Sequence, residues 1–243
     1  MTTRKRADQL LVERGLFESR TRAQAAISAG LVSADGVVLR KPSDGVPLDA
    51  MLEAAPEHPW VSRGGLKLAA ALDHFGFDPR GRVCLDVGAS TGGFTDVLLA
   101  RGARRVHAVD VGHGQLHARL QGRREVVSIE QTDIRTLDPA RLSEAPDFVT
   151  VDVSFISLKL VLPALDRLIA RPAVLVALIK PQFEAGRKHL KKGIVRDAAI
   201  HDAVCDGIAE FAASLGWRVA GVIPSPIDGG DGNREFILGA RHG

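Results

Sequence analysis

RVCLDVGASTGGF, residues 82–94, runs from a short apolar strand into a glycine-rich turn, with an acid, Asp86, near the strand's end. Its reading decides the fold. A strand that ends in such a turn and feeds a helix belongs to a doubly wound α/β sheet, where ligands sit beyond the strand carboxyl ends. Two familiar nucleotide loops are excluded by detail. A P-loop needs Gly-Lys-Ser/Thr, and Gly93-Phe94 stands there instead. A dinucleotide fingerprint needs G-x-G-x-x-G, whereas Gly88 is followed by Ala89-Ser90-Thr91-Gly92. What remains is a turn whose glycines admit a ligand close to the backbone.

Outward from this turn, apolar runs alternate with helical stretches. RVCLDVG, RVHAVDVG, VVSIEQTD, DFVTVDVSF, AVLVALIK, WRVAGVIPS and REFILGA read as strands of a mostly parallel sheet. Asp110 ends the second strand, 18 residues after Gly92, where a carboxylate can accept from a ribose diol. Asp133 ends the third, where an adenine amino group can be read. The set of Asp86, Gly88, Ala89, Ser90, Gly92, Gly93, Phe94, Asp110 and Asp133 fits S-adenosyl-L-methionine, which has ribose and adenine but no phosphate. A nicotinamide cofactor is the alternative.

VLVALIKPQFEAG, residues 174–186, places Lys180 at the end of a strand that reads as buried on both faces. The bland reading is a snorkelling side chain. Asp152 ends the preceding strand, however, and neighbouring strands lie about 5 Å apart. A carboxylate there would hold the ammonium charged and oriented. Lys67 falls on the helix before the first strand, and Glu235 at the start of the last. Taken singly, Asp152 could cap a turn, Lys67 could be a surface residue and Glu235 an ordinary ion-pair partner. Aromatics are scarce and tyrosine is absent, so base stacking would fall to Phe155 and Phe183.

The amino-terminal stretch is different in kind. Residues 1–41 carry eight Lys or Arg against four Asp or Glu, while the whole chain of 243 residues is only +3. A basic head on a near-neutral body suggests a polyanion-binding module. ADQLLVER closes on Gly15 as a short helix. Ser19 offers an N-cap for RTRAQAAISA, and LVSADGVVL is a hairpin turning at Asp35-Gly36. The expected division is a small α+β domain over 1–55, a proline-bracketed linker over 56–62 holding Trp60, and the α/β domain over 63–243.

Two cysteines, Cys84 and Cys205, make neither a disulfide framework nor a zinc site. No apolar run reaches the roughly 18 residues that span a bilayer. MTTRKRADQL lacks the apolar core of a secretory signal. The expectation is a cytoplasmic protein with no metal and no membrane partner.

Residues 4–55, with SRTRAQAAISAGLVSADG at their centre, resemble the small RNA-binding domain shared by a small-subunit ribosomal protein, some pseudouridine synthases and tyrosyl-tRNA synthetase. By position, that resemblance assigns phosphate contacts to Arg20, Arg22, Arg40 and Lys41, with the basic run Arg4, Lys5 and Arg6 beside them. The order Lys67, glycine loop, Asp152, Lys180, Glu235 resembles ribose 2′-O-methyltransferases of the FtsJ type. Together with WVSRGGLKL, VDVGHGQL, DVSFISL, KPQFEAGR and GGDGNREF, the chain looks like the TlyA, haemolysin-A-like family. The resemblance implies a Rossmann-like methyltransferase sheet, the tetrad Lys67-Asp152-Lys180-Glu235, and methylation of cytidine ribose in 16S and/or 23S rRNA within ribosomal subunits. Three rivals stand beside it, one of them a catalytically dead RNA-binding module, whose sign would be a lost lysine or aspartate in the tetrad, and none is lost. Asp152-Val-Ser-Phe155 has the spacing of the D-P-P-Y turn of base N-methyltransferases, although both prolines are missing. The haemolysin name raises a pore-forming protein, which no spanning segment supports.

Overall fold

The structure is a computed structural model that describes residues 3–243, and the chain divides into two units, Met1–Pro59 and Trp60–Gly243. The division falls inside the stretch expected as a linker. Trp60 belongs to the second unit, where its side chain packs against Gly65; a Cβ on that glycine would come within 2.4 Å of the indole.

The first unit comprises β1 (Arg4–Arg6), α1 (Ala7–Glu13), α2 (Arg20–Ser28), β2 (Val32–Ala34), β3 (Val37–Val38), β4 (Gly45–Pro47) and β5 (Leu52–Ala54). Ser19 caps α2, its Oγ accepting from Arg22 N at 3.3 Å. Leu10 and Leu11 of α1 meet Ala23, Ala26 and Ile27 of α2 and Val32 and Val46 of the strands in a small core. The hairpin β2–β3 turns at Asp35 and Gly36, as expected. Two pairings were not expected: β5 joins the free edge of β2, and β1 pairs with β4. Strands of three residues are too short to show a period of two, so only the pairing reveals them.

A buried charge organises this unit. Asp8 is fully buried and receives Arg6 Nε at 3.0 Å, Arg20 Nη2 at 2.8 Å and Gln24 Nε2 at 2.7 Å. The Arg6 hydrogen bond, with those of Arg20 and Gln24, holds the carboxyl well below the usual carboxylate range.

The second unit begins with α3 (Gly64–Phe75), then β6 (Val83–Val87), α4 (Gly93–Ala100), β7 (Arg105–Val109) and β8 (Val126–Ile129). It continues through β9 (Phe148–Val151), α5 (Leu158–Leu165), β10 (Ala173–Ile179), α6 (Pro181–Glu184), α7 (Ala198–Ser214), β11 (Trp217–Pro224) and β12 (Phe236–His242). The strands form one sheet in the order β11-β12-β10-β9-β6-β7-β8, parallel except for β12. The central strands are apolar on both faces because helices cover both. Cys84, Phe148, Val174 and Val176 pack with Leu68 and Leu72 of α3 and Val97 and Leu98 of α4. Leu85, Val149, Leu175 and Ala177 pack with α5 and α7 through Leu158, Leu162, Ile208 and Ala212.

From β6 the chain builds outward to β7 and β8, then returns to lay β9 on the other side of β6. Strand order reverses between β6 and β9, and a crevice opens there at the carboxyl ends. One expectation needs correcting. The third strand does not reach Asp133: β8 closes at Ile129, and Asp133 caps a single 3-10 turn that follows. Glu130 ends the run instead, accepting from the backbone N–H of Gly114 and Gln115 at 2.6 and 3.0 Å. Among the described residues, no helix is long and apolar enough to cross a membrane.

Candidate active site

The glycine turn is shaped by what crosses it. Gly88 has φ +82°, and a Cβ there would lie 2.3 Å from the carbonyl oxygen of Asp152. The ends of β6 and β9 therefore approach through a residue with no side chain. Gly88, Ala89, Ser90, Gly93 and Phe94 all line cavities at the crevice; Gly92 opens α4 behind them, backed by Leu116 and Leu120.

Asp86 differs from the expectation of a ligand contact. It is fully buried and lines neither cavity. Thr95 Oγ1 of α4 donates to it at 2.7 Å and Thr150 Oγ1 of β9 at 2.9 Å. Burial pushes its pKa up to about 6. Asp86 is thus a strut between the helix after the turn and the strand that ends in Asp152.

The larger cavity, about 800 Å³, lies over the ends of β6, β7 and β9. That is room for a nucleoside-sized ligand. Asp110 lines it and holds the turn, accepting from Ser90 N at 2.8 Å and Gly112 N at 2.7 Å. Asp133 lines it too, paired with Arg135 at 2.5 Å. Val111, Ile134 and Ile156 supply apolar wall. At the rim the rings of Phe155 and Phe183 stand 5.1 Å apart. Phe155 is 90% exposed and has φ +64°, a backbone state that bulky residues rarely adopt.

The smaller cavity, about 270 Å³, brings Lys67 and Asp152 together with Arg63, Ser90, Phe94 and Asp228. Asp152 lines both cavities. Behind Asp152, Lys180 Nζ lies 2.6 Å from Oδ1 and donates to Ser154 Oγ at 2.9 Å. The Asp152 contact is an ion pair out of line for a hydrogen bond. Behind Lys67, Glu235 Oε2 lies 2.5 Å from Nζ. The β10–β12 ladder, which pairs Ile179 with Phe236, sets Lys180 across from Glu235 at its end. All four tetrad residues therefore converge as two ion pairs, each mostly buried; Lys180 and Glu235 line neither cavity themselves. Lys180 does not snorkel. Sequence reasoning missed Ser154, which sits inside the DVSF stretch, and Arg63 and Asp228, which lie in glycine-flanked loops without periodicity.

The basic residues of the first unit are less free than the charge count suggested. Arg6 and Arg20 hold Asp8 while keeping about half of each side chain exposed, at 43% and 53%. Lys5 pairs with Glu13, and Arg22 with Glu18 at 3.2 Å. Arg4 donates to Gly45 O at 3.0 Å. Arg40 and Lys41 are exposed, and Asp44 fixes their backbone by accepting from both N–H groups at 3.0 and 2.9 Å.

Known proteins agree with this architecture. Residues 60–242 match the FtsJ-like methyltransferase family, and residues 5–52 match the S4 domain. A Mycobacterium tuberculosis protein named 16S/23S rRNA (cytidine-2′-O)-methyltransferase TlyA is 45% identical over 99% of this chain and 91% of its own length. Hemolysin A of Brachyspira hyodysenteriae is 37% identical over 96% of this chain and 98% of its own. The solved structure of a Streptococcus thermophilus protein, provisionally named a hemolysin, superposes with a TM-score of 0.77 at 42% identity, covering 100% of this chain and 90% of that one. With the reversed sheet, the glycine turn and the two lysine–carboxylate pairs in place, the chain belongs to the FtsJ-like methyltransferases that carry an amino-terminal S4 domain, the TlyA family.

Proposed function

We propose that this protein transfers a methyl group from S-adenosyl-L-methionine to the 2′-hydroxyl of cytidine in ribosomal RNA, 16S and/or 23S, on ribosomal subunits in the cytoplasm. The observation that carries the reading is the Lys180–Asp152 pair at 2.6 Å, set at the switch point where Asp152 borders both cavities.

The larger cavity suits the methyl donor by its chemistry. Its lining holds three carboxylates, Asp110, Asp133 and Asp152, and one cation, Arg135, which Asp133 already engages. No lysine or arginine is left to grip a phosphate, and the excess negative charge favours a sulfonium cation. Asp110 is placed to hold the ribose diol and Asp133 to meet the adenine amino group. The bound donor supplies an already activated methyl, so the protein's task is alignment and proton removal.

A ribose hydroxyl is a very weak acid and loses its proton as its oxygen takes the methyl. Lys180, its ammonium fixed by Asp152 and Ser154, serves to orient that hydroxyl and stabilise the charge growing on its oxygen, while the proton passes to the Asp152 carboxylate, which borders both cavities. Lys67, which lines the smaller cavity, and Glu235 paired with it complete the network. Phe155, exposed and held in its left-handed backbone against Phe183, offers a face for a nucleotide base. The S4 unit positions the RNA by its phosphates.

The direct test is transfer of a tritiated methyl group onto separated ribosomal subunits from a strain lacking the enzyme, followed by mapping of 2′-O-methyl positions. Label on a base nitrogen, or none on either subunit, would overturn the reading.

A further inference from the structure

Between α6 and α7 the segment Gly186–Arg196, GRKHLKKGIVR, contains five Lys or Arg and no Asp or Glu. Lys188, Lys191, Lys192 and Arg196 are exposed, and none of the four forms an ion pair among the described residues. This contrasts with Lys5, Arg6, Arg20 and Arg22 of the S4 unit, each of which shares a carboxylate.

The segment is shaped rather than loose. Lys191 and Ile194 exchange backbone hydrogen bonds at 3.0 and 3.1 Å across a two-residue turn. Lys192 and Gly193 both have positive φ, +53° and +80°, the combination of a tight primed turn. On the buried side, Asn233 donates from Nδ2 to Gly193 O at 3.1 Å and accepts at Oδ1 from Val195 N at 3.2 Å. The ring Nε2 of buried His201 holds Val195 O at 3.0 Å. The lysines therefore face solvent from a backbone fixed underneath, and cations ordered in advance lose less freedom on binding.

The turn is also tied to the active site at both ends. Upstream, the chain reaches it from Lys180 through α6, whose Phe183 lines the larger cavity. Beneath it, Asn233 lies two residues from Glu235, and its carbonyl accepts from Gly229 N at 2.8 Å. The loop so closed contributes Ile227, Asp228 and Gly230 to the smaller cavity. That loop adds Asp228, Asp231 and Arg234, a net of −1, which leaves the combined surface positive.

We propose that the turn bearing Lys188, Lys191 and Lys192 is a second RNA-binding surface, on the catalytic unit, that grips phosphates flanking the target nucleotide. The inference rests on the RNA-methylating reading above. Lysines are compact charges that suit phosphate without reading sequence. A grip by the S4 unit alone leaves the target nucleotide free to wander; a phosphate grip on the catalytic unit itself would confine it.

The test uses the full chain with Lys188→Gln, Lys191→Gln and Lys192→Gln combined, and unmodified ribosomal subunits as the probe. Affinity should fall about tenfold or more near physiological salt, and the log–log salt slope should flatten by about 0.7–0.9 per lost contact. Thermal stability and S-adenosylmethionine affinity should not move, and Lys191→Arg with Lys192→Arg should keep the slope. An unchanged slope and affinity, with wild-type protein methylating the subunits, would overturn this surface alone. Wild-type protein that methylates no ribosomal RNA would overturn the parent reading and this one with it. Binding to phosphatidylglycerol vesicles that the glutamine variant loses, with its RNA slope intact, would reassign the turn to a lipid surface and overturn the proposal.

Discussion

Lys180 and Asp152 close the ends of two adjacent parallel strands with 2.6 Å between ammonium and carboxylate. If the pair acts in transfer, Lys180→Met should fold and bind cofactor and RNA, yet lose single-turnover methyl transfer by a factor of about 10²–10⁴. Asp152→Asn should lose a similar amount. The double variant should be little worse, because residues acting as a unit are not additive. Rapid-quench transfer near the normal rate in folded Lys180→Met would show that the pair only supports the sheet.

Asp110→Ala addresses the cofactor. Loss of a charged hydrogen-bond acceptor should weaken S-adenosylmethionine binding by about 1.5–3 kcal/mol. Titration calorimetry reads this directly. An unchanged affinity would leave Asp110 with only its backbone role at Ser90 and Gly112.

Asp86 predicts a pH effect whose sign is opposite to that of a salt-bridged acid. Burial raises its folded-state pKa to about 6 from 3.8, so its contribution is most favourable below the unfolded value and is lost as pH rises through about 6. Across about two units this amounts to about 3 kcal/mol. Asp86→Asn should therefore gain stability relative to wild type as pH goes from 4 to 7.5, a change on the order of 2–3 kcal/mol in urea unfolding. A pH-independent difference between the two proteins would remove the titration from the argument.

Asn233→Ala separates support from chemistry. It orphans a buried N–H at Val195 and a carbonyl at Gly193, which should reduce stability by about 1–3 kcal/mol. The loosened approach to Glu235 should lower kcat and raise KM for RNA while the cofactor dissociation constant stays the same. Equal losses in all three would mean general unfolding instead.

In the S4 unit, the choice of arginine matters. Arg20→Ala strips a partner from fully buried Asp8 and should show reduced thermal stability along with any loss of RNA affinity. Arg40→Ala with Lys41→Ala removes exposed charge from a turn that Asp44 still closes. That pair should flatten the salt slope of RNA binding by about one unit per contact at unchanged melting temperature. An unchanged slope would place their charges away from RNA.

Legibility in the sequence followed the physics of each part. The central strands and their terminal residues could be read because β9 and β10 are mostly apolar runs cut off by Asp152 and Lys180. The pairing of Lys180 with Asp152 followed from adjacency alone. Asp86 misled because proximity to a glycine turn does not say which way a side chain points; only packing shows that Thr95 and Thr150 enclose it. Asp133 lies beyond its strand because Glu130 ends the run first, a competition between two nearby acids that spacing does not resolve. The basic turn at Lys191 escaped a charge count taken over 42–243, where scattered acids cancel a local excess.

The position of β12 has a consequence for how the protein is made. Lys67 and Glu235 are 168 residues apart in sequence, and the strand that follows Glu235 inserts between β10 and β11 rather than joining the sheet's rim. On a growing chain, β10 would wait with an open edge until β12 is synthesised, and such an edge invites pairing with other chains. Loss of the residues from Glu235 onward, by an early stop or a proteolytic cut, would thus detach β11, strip Lys67 of its carboxylate and expose a long apolar edge at once. Completion of the sheet and the Lys67–Glu235 pair thus depend on the same segment.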